Sequence, residues 1–188
     1  MSFKGTNANK VKELVCAMHK KGIRLLAVDF DQTLISVHTG GRWKESIENL
    51  VQEVRPCIRD LIPAALEKGI YVAIVTYSTQ SWLIKDLIKK LFERDAGRII
   101  VRGNSPEFVV RNNNDLNGKE AHIADVLTTL YKTRQEIIKP GEIILLDDDQ
   151  ENVAKAKEFG HWGFEVKEDI SYETLANISA MLTAKGSK

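Results

Sequence analysis

The sequence predicts a doubly wound α/β protein, in which a mostly parallel sheet carries helices on both faces. Apolar runs of strand length alternate with helical stretches, which is the pattern of strand–helix–strand units. Three of these runs also end in polar residues, and the carboxyl ends of parallel strands meet at one edge of a sheet. We therefore expect a single domain over 1–188 with a ligand-binding crevice at that edge.

The composition is that of an ordinary globular protein, with 43% hydrophobic and 28% charged residues. The formal net charge of +1 at pH 7 argues against a dedicated nucleic-acid surface. No apolar run approaches the roughly 20 residues that cross a bilayer, and the first ten residues lack the apolar segment of a signal peptide. We expect a cytoplasmic protein with no membrane association.

The first central strand, predicted over 23–29, runs directly into two acids, Asp29 and Asp31. Burying a carboxylate at a strand end is costly unless a cation or hydrogen bonds accompany it. Side chains at i and i+2 share one side of a strand, so both acids are predicted at the carboxyl end and on the same side. In the segment 34–43, alternating apolar and polar residues lead into Gly40 and Gly41. This pattern predicts a short hairpin flap beside the two acids.

Other elements follow from hydrophobic periodicity and from glycine, proline and capping signals. The predicted strands after the first lie at 70–75, 98–101, 142–146 and 164–166. The predicted helices lie at 7–21, 57–68, 80–92, 119–131, 151–159 and 171–182, with a weaker helical pattern at 45–54. Ser78 or Thr79 is expected to cap the helix that starts at 80.

Polar residues also follow the second predicted strand, and a lysine stands at the start of one predicted helix. The strand over 70–75 leads into Thr76, Tyr77 and Ser78, and Lys119 begins the helix over 119–131. Hydroxyl groups at a helix N-terminus, together with a fixed positive charge, form an anion site.

The strand over 142–146 ends in Asp147, Asp148 and Asp149. Together with the acids after the first strand, these carboxylates cannot all ionise at close range unless a cation joins them. Ligation by oxygen alone favours a hard ion, and Mg²⁺ fits best because it accepts carboxylates, waters and phosphate oxygens. A metal ion, a lysine and a ring of donors together describe a phosphoryl-group pocket.

These residues resemble the four motifs of haloacid dehalogenase (HAD)-like phosphatases, in order and over about 23–159. The sequence Asp29-Phe30-Asp31-Gln32-Thr33 resembles their D-x-D-x-T motif, Val75-Thr76 the second, Lys119 the third, and Leu146-Asp147-Asp148 the acidic fourth. The resemblance implies a Rossmann-like core and Mg²⁺-dependent hydrolysis of phosphomonoesters. It also implies a phosphorylated substrate as the partner.

The resemblance implies a role for each catalytic residue. Asp29 is expected to attack phosphorus and form an aspartyl-phosphate, and Asp31 to protonate the leaving group and then activate water. Thr76 and Lys119 are expected to bind the phosphoryl group, and Tyr77 and Ser78 are expected to contact the substrate beside them.

The implied metal ligands are the Asp29 carboxylate, the Asp31 backbone carbonyl and Asp148, with Asp147 beside them as a water-bridged partner. Because three aspartates stand in a row, a register shift of one residue would put Asp149 in the place of Asp148. Asn152 is expected to be solvated in preference to bonding this loop.

HAD-like proteins carry caps between the first two motifs or before the lysine. Here the segments 34–70 and 102–118 leave no room for a large cap, which predicts the capless subgroup. An open site suits a phosphate on a macromolecule, or a small substrate enclosed by a neighbouring subunit, so an oligomer is left open. The alternatives are a phosphotransferase or mutase of the same family, and a phosphate-binding module without turnover. A receiver-like signalling module is disfavoured because its acidic pair would come first.

Overall fold

A computed structural model describes residues 3–112, 117–167 and 169–184. One parallel sheet forms the centre, with strand order β3-β2-β1-β4-β5. The strands are β1 (Leu25–Val28), β2 (Tyr71–Val75), β3 (Ile99–Arg102), β4 (Ile143–Asp147) and β5 (Trp162–Glu165). Every neighbouring pair in this order is parallel. The predicted doubly wound class is confirmed, and the sheet is parallel throughout.

Eight α-helices connect and cover the strands in the part of the chain that is described. They are α1 (Phe3–Lys20), α2 (Ile47–Gln52), α3 (Pro56–Glu67), α4 (Ser81–Phe92), α5 (Pro106–Arg111), α6 (Glu120–Arg134), α7 (Gln150–Glu158) and α8 (Tyr172–Thr183). None of them has the length and apolar composition needed to span a membrane.

Two apolar clusters, one on each face of the sheet, form the core. The larger contains residues of α1, α3, α4 and α8, and the smaller contains residues of α6 and α7. The four residues of β1 alternate between the two clusters, and each is fully buried. This is why Leu25–Val28 is apolar at every position: a central parallel strand has no solvent-facing side.

One capping expectation differs from the structure, and the periodicity left two local points open. Pro63 lies inside α3 without ending it, since the apolar face of that helix is buried against the larger cluster. Gln80, in place of Ser78 or Thr79, is the residue before α4, and its side chain does not cap the helix. Residues 108–110, whose type the periodicity left undetermined, belong to α5.

The flap, residues 36–43, is a loop with a turn at Gly40 and Gly41 in place of the predicted hairpin. Beside it, Ile35 forms one isolated antiparallel bridge with Val54. Both glycines have positive φ angles, of 62° and 81°, so the chain reverses here without strand pairing. Between β3 and Lys119 the described residues contain only the six-residue α5, while 113–116, which the polar composition of 111–118 predicts to be loop, lie outside them. No large cap is present in the described part of either segment.

Candidate active site

The residues predicted from the strand ends line one cavity of about 340 Å³ at the carboxyl edge of the sheet. It is bordered by the ends of β1, β2 and β4, the start of α6, and the flap. The lining residues are Asp29, Asp31, His38, Gly40, Gly41, Thr76, Tyr77, Ser78, Lys119, Asp147, Asp148, Asp149 and Asn152. All eight residues predicted to be catalytic, substrate-binding or metal-binding are among them.

Asp29 follows β1 directly, and its backbone N–H donates to Leu146 O at 2.9 Å, which ties it to the neighbouring strand. The chain then enters a wide turn over Phe30–Leu34, closed by Leu34 N–H donating to Asp29 O at 3.2 Å. Asp31 therefore lies in a turn beyond the strand, and the i, i+2 strand geometry expected from the sequence does not apply. Both acids nevertheless line the same cavity.

Lys119 lies at the start of α6 and is 2% exposed. Its Nζ donates to Asp29 Oδ1 at 2.6 Å and lies 3.8 Å from Asp147 Oδ2. The same ammonium group sits 3.9 Å from the centroid of the Tyr77 ring, a cation–π contact. A buried ammonium needs such partners, because an isolated one would be strongly destabilising.

Asp147 accepts a hydrogen bond from the buried side-chain amide of Asn152, a residue that the sequence predicted to be solvated. Asn152, 4% exposed on the first turn of α7, donates from Nδ2 to Asp147 Oδ1 at 2.9 Å. The Tyr77 hydroxyl donates to Asn152 Oδ1 at 3.0 Å, which fixes the orientation of the amide. The expectation that Asn152 is solvated is therefore wrong. The signal was its place in the first turn of the helix that follows β4, which lies close to the strand end.

The other two acids of the fourth motif have different partners. Asp148 Oδ1 accepts from the Thr33 hydroxyl at 3.5 Å, which links the fourth motif to the first. Asp149 is exposed, and its carboxylate caps α7 by accepting from Glu151 N–H at 2.7 Å. The Asp149 carboxylate is thus engaged in helix capping, which favours the register that places Asp148 beside the first motif.

Asp31 is held by the flap. Both of its carboxylate oxygens accept from Thr39, one from the backbone N–H at 3.2 Å and the other from the hydroxyl at 3.0 Å. His38 Nδ1 lies 3.4 Å from Asp31 Oδ2. Sequence reasoning did not identify Thr39, since its contact depends on how the flap folds back on the first motif.

The flap is also fastened to the loop after β2. Gln80 accepts from Trp43 N–H at 2.5 Å and donates to Trp43 O at 3.2 Å. The Ser78 hydroxyl donates to Gly41 O at 3.4 Å, so it already has a structural partner. Thr76 Oγ1 accepts from Ser78 N–H at 3.1 Å, which orders this loop against the cavity.

A second buried group supports the loop after β2 from behind. His122, on α6, is fully buried, and its Nε2 lies 2.8 Å from Asn104 Oδ1. Its ring packs edge-on against Tyr77, with centroids 5.6 Å apart. Asn104 N–H also donates to Ser78 O at 3.0 Å. His122 is not among the predicted site residues, and the structure places it in this buried support.

Burial raises the pKa values of three acids in the cavity. Burial raises the pKa of Asp29 from 3.8 to about 7, although the Lys119 ammonium acts in the opposite direction. Burial likewise raises the pKa values of Asp147 and Asp148 above the ordinary range. Burial lowers the pKa of Lys119, but the carboxylates of Asp29 and Asp147 outweigh it, so its pKa lies above the usual value. The lysine is therefore a permanent cation at neutral pH.

The expected Mg²⁺ ligands have oxygen donors, but the described ranges contain no group of three or more His, Cys, Asp or Glu side chains placed to hold a metal ion. The set implied by the resemblance differs from such a group because one of its ligands, at Asp31, is a backbone carbonyl. One observation fits a cation: Asp147 Oδ2 is buried and has no hydrogen-bond partner. A buried carboxylate oxygen of this kind is suited to accept a metal ion or a metal-bound water.

Solved structures include chains with a similar fold. The chain is similar to a haloacid dehalogenase-like family hydrolase from Streptococcus pneumoniae, with 16% sequence identity and a TM-score of 0.43, over 84% of this chain and 91% of that chain. No protein-family model matches the chain. No curated protein matches it either.

The order of the motifs and the sheet that carries them can be read from this chain alone. Asp29 follows the central strand, Thr76 and Asp147 stand at the ends of the two strands beside it, and Lys119 starts a helix above them. The chain thus has a Rossmann-like α/β fold consistent with the core of haloacid dehalogenase-like proteins, as its four motifs predicted.

Proposed function

We propose that this protein is a HAD-like, Mg²⁺-dependent phosphatase that hydrolyses phosphomonoesters through an aspartyl-phosphate on Asp29. The observation that carries the proposal is the 2.6 Å contact between Lys119 Nζ and Asp29 Oδ1 at the bottom of the shared cavity. A carboxylate paired with a buried ammonium stays available as a nucleophile, and the same ammonium faces the negative charge of a phosphoryl group.

In the first step an Asp29 carboxylate oxygen attacks phosphorus, and the bond from phosphorus to the ester oxygen breaks. Asp31, held by Thr39, gives its proton to the departing oxygen. In the second step Asp31 takes a proton from water, which attacks the same phosphorus. The bond to Asp29 breaks, and inorganic phosphate leaves with the enzyme in its original state.

The remaining residues of the cavity bind and orient the phosphoryl group. Lys119 neutralises its charge, and the loop of Thr76, Tyr77 and Ser78 surrounds it on the β2 side. Asn152 holds Asp147 through Oδ1, while among the described residues Asp147 Oδ2 accepts no hydrogen bond and has only the Lys119 ammonium 3.8 Å away.

Mg²⁺ would be held by Asp29, the Asp31 carbonyl and Asp148, with Asp147 beside it. The orphaned Asp147 Oδ2 and the all-oxygen donor set fit this ion. When bound, the ion would neutralise charge on the phosphoryl oxygens and favour in-line attack. The absence of a large cap in the described segments supports a substrate whose phosphate protrudes from a larger molecule.

The direct test is hydrolysis of a generic aryl phosphate with added Mg²⁺ and with a chelator. Wild type should release phosphate only with the metal, and Asp29→Asn should lose at least about 10³-fold in kcat, because the nucleophile is removed. Asp86→Asn, at an exposed position on α4, removes a carboxylate elsewhere and should retain wild-type rates.

A folded Asp29→Asn protein with the wild-type rate would refute the nucleophile assignment. Transfer of phosphate to an added alcohol in preference to water would indicate the phosphotransferase alternative. Binding of inorganic phosphate without turnover of any phosphoester would indicate the binding module.

A further inference from the structure

The free edge of the sheet at β5 carries an apolar groove that the catalytic cavity does not include. Among the described residues β5 pairs with β4 and with no other strand, so its outer N–H and C=O groups face away from the sheet. A groove of about 660 Å³ lies across this edge and is bordered by residues of both helical layers. Its lining residues are Lys21, Lys157, Gly160, His161, Trp162, Gly163, Phe164 and Met181.

The two faces of β5 differ in chemistry. Gly163 faces α7, because a Cβ placed on it would lie 2.8 Å from Val153 O and 3.5 Å from Lys157 Cγ. Strand alternation puts Glu165, which is exposed, on the same face as Gly163. This face therefore carries an acid on the strand and a lysine beside it.

The other face of β5 is apolar. Trp162 and Phe164 are partly buried against the larger core cluster, and Met181 of α8 is 55% exposed beside them. Lys21 Nζ lies 4.7 Å from the centroid of the Trp162 ring at the border of the groove. Partly exposed aromatic and methionine side chains of this kind are enriched at protein interfaces.

We propose that β5 pairs antiparallel with β5 of a second copy of this chain, about a two-fold axis at Phe164. This register places Phe164 opposite Phe164 of the partner subunit, and Gly163 opposite Glu165 of the partner subunit. Residues directly opposite in an antiparallel pair share one face, which this register respects. The two sheets join into one.

Charge complementarity favours a second copy as the occupant. Because Lys157 lies beside Gly163, it comes next to Glu165 of the partner subunit, and the two-fold axis repeats the pair. On the opposite face, the aromatic side chains and Met181 of both copies cover one another. The net charge of +1 gives little long-range repulsion between copies.

The arrangement has a consequence for the catalytic cavities. In an antiparallel pairing, the carboxyl ends of the two sheets point in opposite directions. Neither subunit then covers the cavity of the other, so the dimer leaves both sites open to a large substrate.

The experiment is light scattering coupled to size-exclusion chromatography over a wide range of protein concentration, with a charge-swap series. Wild type should have the mass of two chains. Glu165→Lys and Lys157→Glu should each weaken the dimer by about tenfold or more, because an attraction becomes a repulsion at both ends of the interface. The double variant should restore it. The controls Glu67→Lys and Lys89→Glu make the same charge changes at exposed positions on α3 and α4.

A wild type that is monomeric at every concentration would overturn the proposal. In that case the groove binds another protein or stays empty. So would a dimer that neither single variant weakens, since its interface would lie elsewhere. Loss of the dimer in both single variants without restoration in the double variant would overturn the register. Circular dichroism of each variant separates dissociation from misfolding.

Discussion

The floor of the cavity and the flap above it are built in opposite ways. The floor, which we define as Asp29, Thr76, Lys119 and Asp147, is at most 4% exposed at each residue, and two of its contacts join oppositely charged side chains. The flap is exposed or half-buried along its length and is held by hydrogen bonds to the Asp31 carboxylate and the Gln80 amide. A buried charge network tolerates no missing partner, whereas an exposed loop can replace a lost bond by water. Damage to the floor should therefore cost far more than damage to the flap.

The largest effect is expected from Lys119→Met, which removes the cation of the floor and keeps much of its volume. We expect kcat to fall by about 10³-fold, because the developing phosphoryl charge loses its partner. Since Lys119 lowers the pKa of Asp29, its removal should raise that pKa further and move the acidic limb of the pH–rate profile upward. The measurement is kcat across pH, with Lys89→Met as the control for loss of one positive charge. Wild-type kcat in Lys119→Met would contradict a floor organised around this lysine.

Acid should lower the free energy of unfolding through His122, which is buried behind the loop that follows β2. Burial lowers the pKa of His122 from 6.5 to about 4, so the unfolded chain binds this proton first as the pH falls. The histidine therefore contributes stability above pH 6.5 that is lost between 6.5 and about 4, a loss of about 3 kcal/mol.

Urea unfolding of wild type and His122→Gln at neutral pH and near pH 4 measures this contribution. The wild type should lose about 3 kcal/mol more than the variant over this interval, since glutamine has no proton to bind. Equal losses in both proteins would mean that His122 accepts its proton in the folded state.

A smaller effect is expected in the middle of the flap, where Thr39 donates two hydrogen bonds to the Asp31 carboxylate. Thr39→Val keeps the shape of the side chain but removes the hydroxyl donor, and kcat should fall by about tenfold. Poor leaving groups need the general acid most, so an alkyl phosphate should be affected more than an aryl phosphate. Thr39→Ser retains the donor and should stay near the wild type. An equal loss for both kinds of substrate would argue against a positioning role.

The smallest effect is expected from Gln80→Ala, which releases the flap from the loop after β2. The amides of the flap should exchange with solvent about tenfold faster, while global stability changes by about 1 kcal/mol or less. Hydrogen exchange of the flap and urea unfolding measure the two quantities, with Gln52→Ala on the exposed end of α2 as the control. A large loss of global stability would show that the flap belongs to the same cooperative unit as the floor.

The residues of the floor could be predicted because each stands where a strand ends or a helix starts. Parallel strands bring their carboxyl ends to one edge whatever the loops between them do, so Asp29, Thr76 and Asp147 had to approach one another. The positions of Thr39, Asn152 and His122 could not be predicted in the same way. Their contacts depend on the path of a loop or on a polar side chain of a helix meeting a distant residue, and hydrophobic periodicity does not identify such polar partners.

The sequence by itself determined the fold class and the chemical identity of the cavity. Buried apolar strands, and buried acids that need a cation or hydrogen bonds beside them, restrict the chain to few arrangements. Only the tertiary structure decided that the flap is a loop fastened at both ends, that Asn152 and Tyr77 orient Asp147, and that β5 lies at an edge beside Lys157. The reason is physical: strand and helix formation follow local patterns, whereas hydrogen bonds between distant side chains and the order of strands exist only after the chain has packed.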